Sequence, residues 1–176
     1  RSATYSNTGD PTDRPSDWTV NSAAFVAPSP PVDRGDGTYM TTFVPTVAAT
    51  YLVSVTRGGV LIKDAPYLLT VTPAATSAKH SMLVCKTTSN CGLNTAVAGR
   101  RATFFIVAKD RYNNTQVGSG GSTFYYSVVG GGGFTKVSVA SEVGVAQRGW
   151  YEAFFNTEVS GPATIRVTLG DDVVGG

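Results

Sequence analysis

The 176-residue chain is predicted to be all-β, arranged as β-sandwiches in tandem, and three observations lead there. Charged residues make up only 15% of the sequence, where ~25% is usual, and 20 Gly and 9 Pro accompany many Thr, Ser and Val. Apolar residues alternate with polar ones in short runs bounded by Gly, Pro, Asn and Asp, and no segment sustains a 3.6-residue period. Finally, one stretch of the chain recurs 112 positions further on. The 41% hydrophobic content suffices for a core.

Arg1 to Asp17 is polar and rich in turn formers (Asn7, Gly9, Asp10, Pro11, Asp13, Pro15) and reads as a loop or frayed end. Trp18 to Val26 reads as a strand that Pro28-Ser29-Pro30-Pro31 interrupts. Asp33-Arg34-Gly35-Asp36-Gly37 follows as a tight turn, since Asp and Gly tolerate the left-handed backbone. Thr38 to Val44 is the next strand. Thr50 to Thr56 alternates, with Tyr51, Val53 and Val55 on one face, and Arg57-Gly58-Gly59 makes a hairpin-type turn. Pro66 to Thr72 is a strand with its proline at the start, where a missing N–H does least harm.

Pro73 to Lys79 is a small-residue linker and the expected boundary, giving segments 1–73 and 74–176. Strand-like runs resume at Ser81 to Lys86, Ala102 to Lys109, Thr123 to Val129, Phe134 to Ala140, Trp150 to Asn156 and Ala163 to Leu169. Asn113-Asn114, Gly118 to Gly121 and Gly130 to Gly133 separate them. Several short strands at this spacing indicate a sandwich.

Tyr39 and Tyr151 stand 112 positions apart, as do Phe43 and Phe155, Val53 and Ile165, and Val55 and Val167. The run from Val32 to Val55 lies without a gap over the run ending at Val167, with its apolar positions in phase. Two copies of one module of roughly a hundred residues follow, the size of an immunoglobulin-like sandwich. The copies are cut differently. The first is expected to lack its opening strands and the second its closing strand, so both are incomplete and the chain is read as a window onto a longer array. That it begins at Arg1 and carries no apolar leader fits a processed product or a fragment.

Several function classes fall away. No run of ~18 apolar residues exists, so no membrane insertion is expected in this segment. A net charge of +2 gives no reason to expect nucleic acid. The single histidine, His80, precedes a strand without a Ser/Asp or metal-ligand constellation, and neither catalytic residue, metal site nor cofactor is expected. Arg34-Gly35-Asp36 spells an integrin-type tripeptide, but its glycines and aspartates are what a turn needs. Asp33 and Asp36 are too few for an EF-hand loop. Gly130 to Gly133 lacks the Gly-Lys-Ser/Thr of a phosphate loop and reads as a flexible connection. Cys85 and Cys91 have five residues between them, which allows either a disulfide, and with it an oxidising compartment, or two free thiols. Asn113-Asn114-Thr115 is a glycosylation sequon on Asn113, in an expected loop.

VDRGDGTYMTTFVPTVAATYLVSV, then DAPYLLTVTP, then GLNTAVAGRRATFFIVAKDRYNN resemble the signature stretches of a filamin-type immunoglobulin-like repeat. That pattern runs Asp-Gly-x-Tyr, Pro-Thr before the penultimate strand, a Ser-Pro-Phe-like start to the last strand, and Gly-Leu with Ala-x-Ala-Gly near the beginning. The sequence departs from it at Ala49, at Ala65-Pro66-Tyr67 and at Ala146 to Gly149, where the Asp-Gly turn is missing. The resemblance implies seven-strand sandwiches with no catalytic site. Such repeats serve as spacers, mechanical links or docking sites, and their partners, other proteins or neighbouring repeats, bind by adding a strand beside the third strand. Here that edge is Phe124, Tyr125, Tyr126, Ser127, Val128 and Val129. The expected function is a non-enzymatic structural or adhesive module of a larger protein, extracellular or at the cell surface. The alternative is an intracellular cytoskeletal or ciliary scaffold.

Overall fold

The computed structural model describes residues 2–6, 18–21, 29–86, 90–118, 121–144 and 147–175. It is all-β, with a short 3-10 turn at Gly131–Gly133. The chain divides into two units, Arg1–Thr72 and Pro73–Gly176.

The first unit holds β1 (Ser2–Ser6), β2 (Trp18–Asn21), β3 (Val32–Asp33), β4 (Thr38–Thr42), β5 (Ala49–Arg57), β6 (Val60–Leu61) and β7 (Tyr67–Val71). One sheet runs β1-β4-β3. The other runs β2-β5-β6, with β7 also paired to β5. Ser2–Ser6 therefore adds a strand inside the stretch expected to be a loop or frayed end, because its backbone pairs antiparallel with β4 from Ser2↔Thr42 to Ser6↔Thr38. Tyr39, Phe43 and Val53 are buried, in keeping with the alternation along β4 and β5.

The second unit holds β8 (Met82–Val84), β9 (Arg101–Val107), β10 (Phe124–Gly130), β11 (Thr135–Val139), β12 (Ser141–Glu142), β13 (Trp150–Asn156), β14 (Ala163–Leu169) and β15 (Asp172–Val173). Its sheets run β12-β13-β9-β8 and β11-β10-β14-β15. Alternate residues of three central strands are buried, Ala102, Phe104 and Ile106 on β9, Phe124, Tyr126 and Val128 on β10, and Tyr151, Ala153 and Phe155 on β13, and Val167 of β14 joins them. Each fully buried Phe or Ile contributes about 1.5–3 kcal/mol relative to exposure. Two edge-to-face ring pairs join the layers, Phe124–Tyr151 at 4.9 Å and Phe104–Tyr126 at 5.7 Å between centroids.

The repeat is visible in the ladders. β1 pairs β4 as β9 pairs β13, and β2 pairs β5 as β10 pairs β14. Trp18↔Arg57 and Phe124↔Leu169 occupy the same place, with Arg57 and Leu169 112 positions apart. The offset breaks at the head of the shared run. Asp33↔Tyr39 corresponds to Glu142↔Tyr151, so the connection into β13 is three residues longer than the one into β4. The gapless overlay therefore starts at β4 and β13, not at Val32. Counterparts of β9 and β10 exist in the first unit; β8 and β11 have none among the described residues.

Candidate functional site

The strand expected to offer an open edge is β10, and the structure corrects that expectation. β10 pairs with β14 on one side (Phe124↔Leu169 to Gly130↔Ala163) and with β11 on the other (Tyr125↔Val139 to Val129↔Thr135). Ala140 N–H bonds the Phe124 carbonyl at 2.9 Å, and Gly130 N–H bonds the Phe134 carbonyl at 2.9 Å. Even-numbered residues of β10 thus face β11, and odd ones, Ser127 among them, face β14. The Ser127 N–H lies inside the sheet and offers nothing to a partner. The physical reason is the glycine connection. Gly132, at φ +69°, closes a turn that folds β11 straight back, and a Cβ on it would lie 3.0 Å from Val159 Cγ1.

Of the six proposed partner residues, Phe124, Tyr126 and Val128 are core, whereas Tyr125 and Val129 are 49% and 52% exposed. Across the β10–β11 ladder stand Val137 and Val139, 70% and 48% exposed. Together these four form an apolar outer face that sequence reasoning read only in part, because strand alternation does not reveal which strands are neighbours. The outer face of the other sheet is covered differently. Lys86 Nζ sits 4.2 Å from the Phe105 ring centroid and 5.2 Å from that of Trp150, and the Arg101 guanidinium lies 3.9 Å over Phe154.

Cys85 and Cys91 form a disulfide with a Cα–Cα distance of 5.7 Å. It joins the exposed end of β8 to a buried residue that bridges to Thr103 of β9. The next residue, Gly92, lies so close to the core that a Cβ there would meet Phe155 Cε1 at 2.8 Å.

Asn113 is exposed, at φ +70°, and Lys109 Nζ donates to its Oδ1 at 2.8 Å. It belongs to a turn organised by Asp110, a fully buried carboxylate that sequence reading passed over. Asp110 Oδ1 accepts from the backbone N–H groups of Tyr112 and Asn114, both at 2.9 Å. Its Oδ2 accepts from Ala74 N–H and Asn114 Nδ2, both at 2.8 Å. Burial pushes the Asp110 pKa up, but these four donors outweigh it and hold the carboxyl below its ordinary value. At Arg34-Gly35-Asp36, Asp33 accepts from Gly35 N–H at 2.8 Å, and Asp36 accepts from the N–H and hydroxyl of Thr38 at 2.9 and 2.5 Å. These bonds lower the Asp36 pKa and tie the carboxylates into the turn. His80 Nδ1 lies 3.0 Å from Ser77 Oγ. Among the described residues no group of three or more His, Cys, Asp or Glu side chains is placed to hold a metal ion. Nor is any helix there long and apolar enough to cross a membrane.

No protein-family profile matches the chain. Among solved structures it is similar to invasin, a bacterial integrin-binding protein, with a TM-score of 0.55 and 18% identity over 89% of this chain. It is also similar to FdeC, an Escherichia coli adhesin, with a TM-score of 0.51 and 17% identity, again over 89%. The chain spans 30% and 50% of the length of those two structures. The likeness establishes the fold, tandem immunoglobulin-like β-sandwiches.

Proposed function

We propose that the chain is a non-enzymatic, adhesive and structural segment of a larger protein exposed outside the cell, working as spacer and protein-docking element. The observation that carries this reading is the apolar outer face of Tyr125, Val129, Val137 and Val139. An exposed apolar sheet face of this kind is suited to flat contact with another protein. The Cys85–Cys91 bridge supports an oxidising compartment. The similarity to surface adhesins agrees with both. The finer reading, filamin-type repeats with 1–73 as the C-terminal part of one and 74–176 as a second lacking its last strand, rests on the order of the motifs. Asn113, exposed on its turn, is part of the same proposal as a glycan acceptor.

The test is to anchor the chain on the surface of a non-adherent bacterium and count cells retained on an epithelial monolayer. Retention should rise above the anchor alone, and Val137→Ser with Val139→Ser should remove most of the gain without lowering the melting temperature. In parallel, native material should resist alkylation at both cysteines until reduced. No gain in retention, together with free alkylation, would overturn the reading.

A further inference from the structure

The outer face of the sheet β12-β13-β9-β8 carries rings and cations that the fold does not require. Trp150, Glu152 and Phe154 alternate outward on β13, and Phe105 stands across the ladder from Glu152. By the 112-residue offset their counterparts in the first unit are Thr38, Met40 and Thr42, and by register Thr4 takes the place of Phe105. The same strand pairing thus forms there without a ring or a charge. Phe105 and Trp150 meet edge to face at 6.2 Å between centroids, with Lys86 Nζ over both rings. Phe154, 39% exposed, has the Arg101 guanidinium 3.9 Å from its centroid and Lys136 Nζ, arriving from β11, at 5.7 Å. The Lys86 ammonium uses one donor on Gln147 Oε1, and the Arg101 guanidinium uses one on Glu152 Oε1 at 2.8 Å, so both keep N–H groups for an anion. Among the described residues Lys136 has no carboxylate partner. Three cations therefore stand with one carboxylate. The excess extends to the whole unit. Residues 73–176 hold nine Lys and Arg against six Asp and Glu, whereas residues 1–72 hold five against six.

We propose that this face binds a linear acidic polysaccharide, with Lys86, Arg101 and Lys136 on its anionic groups and the rings of Phe105, Trp150 and Phe154 against its sugars. Charge complementarity selects an anion. The rings hold the cations in place before the ligand arrives, so less side-chain freedom is lost on binding. Phe105 and Phe154 occupy diagonal positions of the β9–β13 ladder, about 7–8 Å apart, a spacing that a short run of sugars spans. A peptide fits this face poorly. The backbone groups of β9 and β13 are engaged in their ladder, and the Phe154 N–H and C=O, which face the side left open by the short β12, are taken by the Tyr126 hydroxyl. A peptide lying here would leave its own amides unpaired, whereas a polysaccharide brings hydroxyl and acidic groups that side chains can serve. The inference rests on the extracellular placement proposed above but not on the Tyr125 face.

The experiment titrates a heparin octasaccharide into the whole chain and follows binding by calorimetry and by NMR. Saturable binding that shifts the Trp150 indole and the Arg101 and Phe154 amide resonances is expected, and neutral dextran should not bind. Lys86→Gln, Arg101→Gln and Lys136→Gln together should weaken the octasaccharide at least tenfold. Lys79→Gln, Arg111→Gln and Arg166→Gln together remove as much charge from exposed positions off this face, and should weaken it less than twofold. The resonance map of the unmodified chain locates the site even if the first triple variant loses its fold. Absence of saturable binding, or shifts confined to other surfaces, would overturn the proposal. So would equal weakening by the two triple variants, which would reduce the effect to bulk charge. Equal binding of a poly-glutamate of matched charge would also overturn it and make an acidic polypeptide the occupant. None of these readouts involves cell retention or cysteine alkylation, so failure of the adhesive reading and failure of this one are told apart.

Discussion

Strands β4 and β13 are equivalent, and both run past their short edge partners, so the N–H and C=O of the next residue on that side face outward. In the first unit that residue is Thr42, in the second Phe154, 112 positions on. Thr42 N–H donates to Ser29 Oγ at 3.0 Å, and Ser29 N–H donates to the Thr42 carbonyl at 3.0 Å. In the second unit Phe154 N–H donates to Tyr126 Oη at 3.3 Å, and the same hydroxyl donates to the Phe154 carbonyl at 2.6 Å. The first solution comes from the preceding loop, the second from across the sandwich. The fold requires two satisfied backbone groups at this point, not a particular residue. By register Val20 stands where Tyr126 does, so the phenol is unique to one copy. It also ties the two sheets together, which Ser29 does not.

The largest expected effect breaks the symmetry of the turns. Gly149 has φ +77°, and a Cβ there would lie 2.3 Å from the Gln116 carbonyl oxygen. Gly149→Ala should cost the second unit about 3 kcal/mol or more. Gly58, at φ +55° in the β5–β6 turn, has open space around it, and Gly58→Ala should cost the first unit only about 1 kcal/mol. Calorimetry of both variants checks this, and equal losses would mean that the longer connection is not packed as described.

Next comes Asp110, which has no counterpart of its kind in the described part of the first unit. Asp110→Asn keeps the shape but replaces one acceptor by a donor that faces N–H groups, at a cost of about 2 kcal/mol at neutral pH. Because the folded carboxyl is held below its ordinary 3.8, its stabilisation is complete above that value and drains away as pH falls through the lowered folded value. The second unit should therefore lose Tm below about pH 4. The variant should lose less over the same interval. Parallel acid dependences would remove Asp110 from the account.

The smallest effect sharpens the opening contrast. Tyr126→Phe strands the Phe154 groups in a partly buried place and should cost about 1–2 kcal/mol. Ser29→Ala keeps its own N–H on the Thr42 carbonyl and exposes the rest to water, so about 0.5 kcal/mol is expected. Exchange at the Phe154 amide should quicken in the first variant. Similar losses in both would show that the bond across the sandwich adds nothing to the local one.

Much of the fold was legible. Alternation placed β4, β5, β7, β9, β10, β13 and β14, because a half-buried strand must repeat with period two. The cysteine spacing allowed the bridge. Strand order was not legible. Phe134 to Ala140 read as a strand, but nothing in its residues says that it returns onto β10 and closes the edge expected there. Ser2–Ser6 escaped because its pattern is weak and its pairing is with a strand far along the chain. Tyr126 read as one more alternating aromatic, and its hydroxyl gains meaning only when Phe154 arrives from the other sheet.

The disulfide has a consequence under tension. Pulling on the chain ahead of the second unit first breaks the bonds of Ala74 to Asp110 and of Ser77 to Lys109, and then peels off β8, whose ladder with β9 is three residues long. The load then reaches Cys85. It does not run on through the short loop to Asn90 but crosses the sulfur bridge to Cys91, which is buried, bridged to Thr103 and followed by the glycine wedged against Phe104 and Phe155. Only the stretch from Pro73 to Cys85 can be paid out before that, about 40 Å at ~3.4 Å per residue. After that length the force bears on the centre of the sandwich, and the unit should respond as a short compliant lead spliced to a stiff stop.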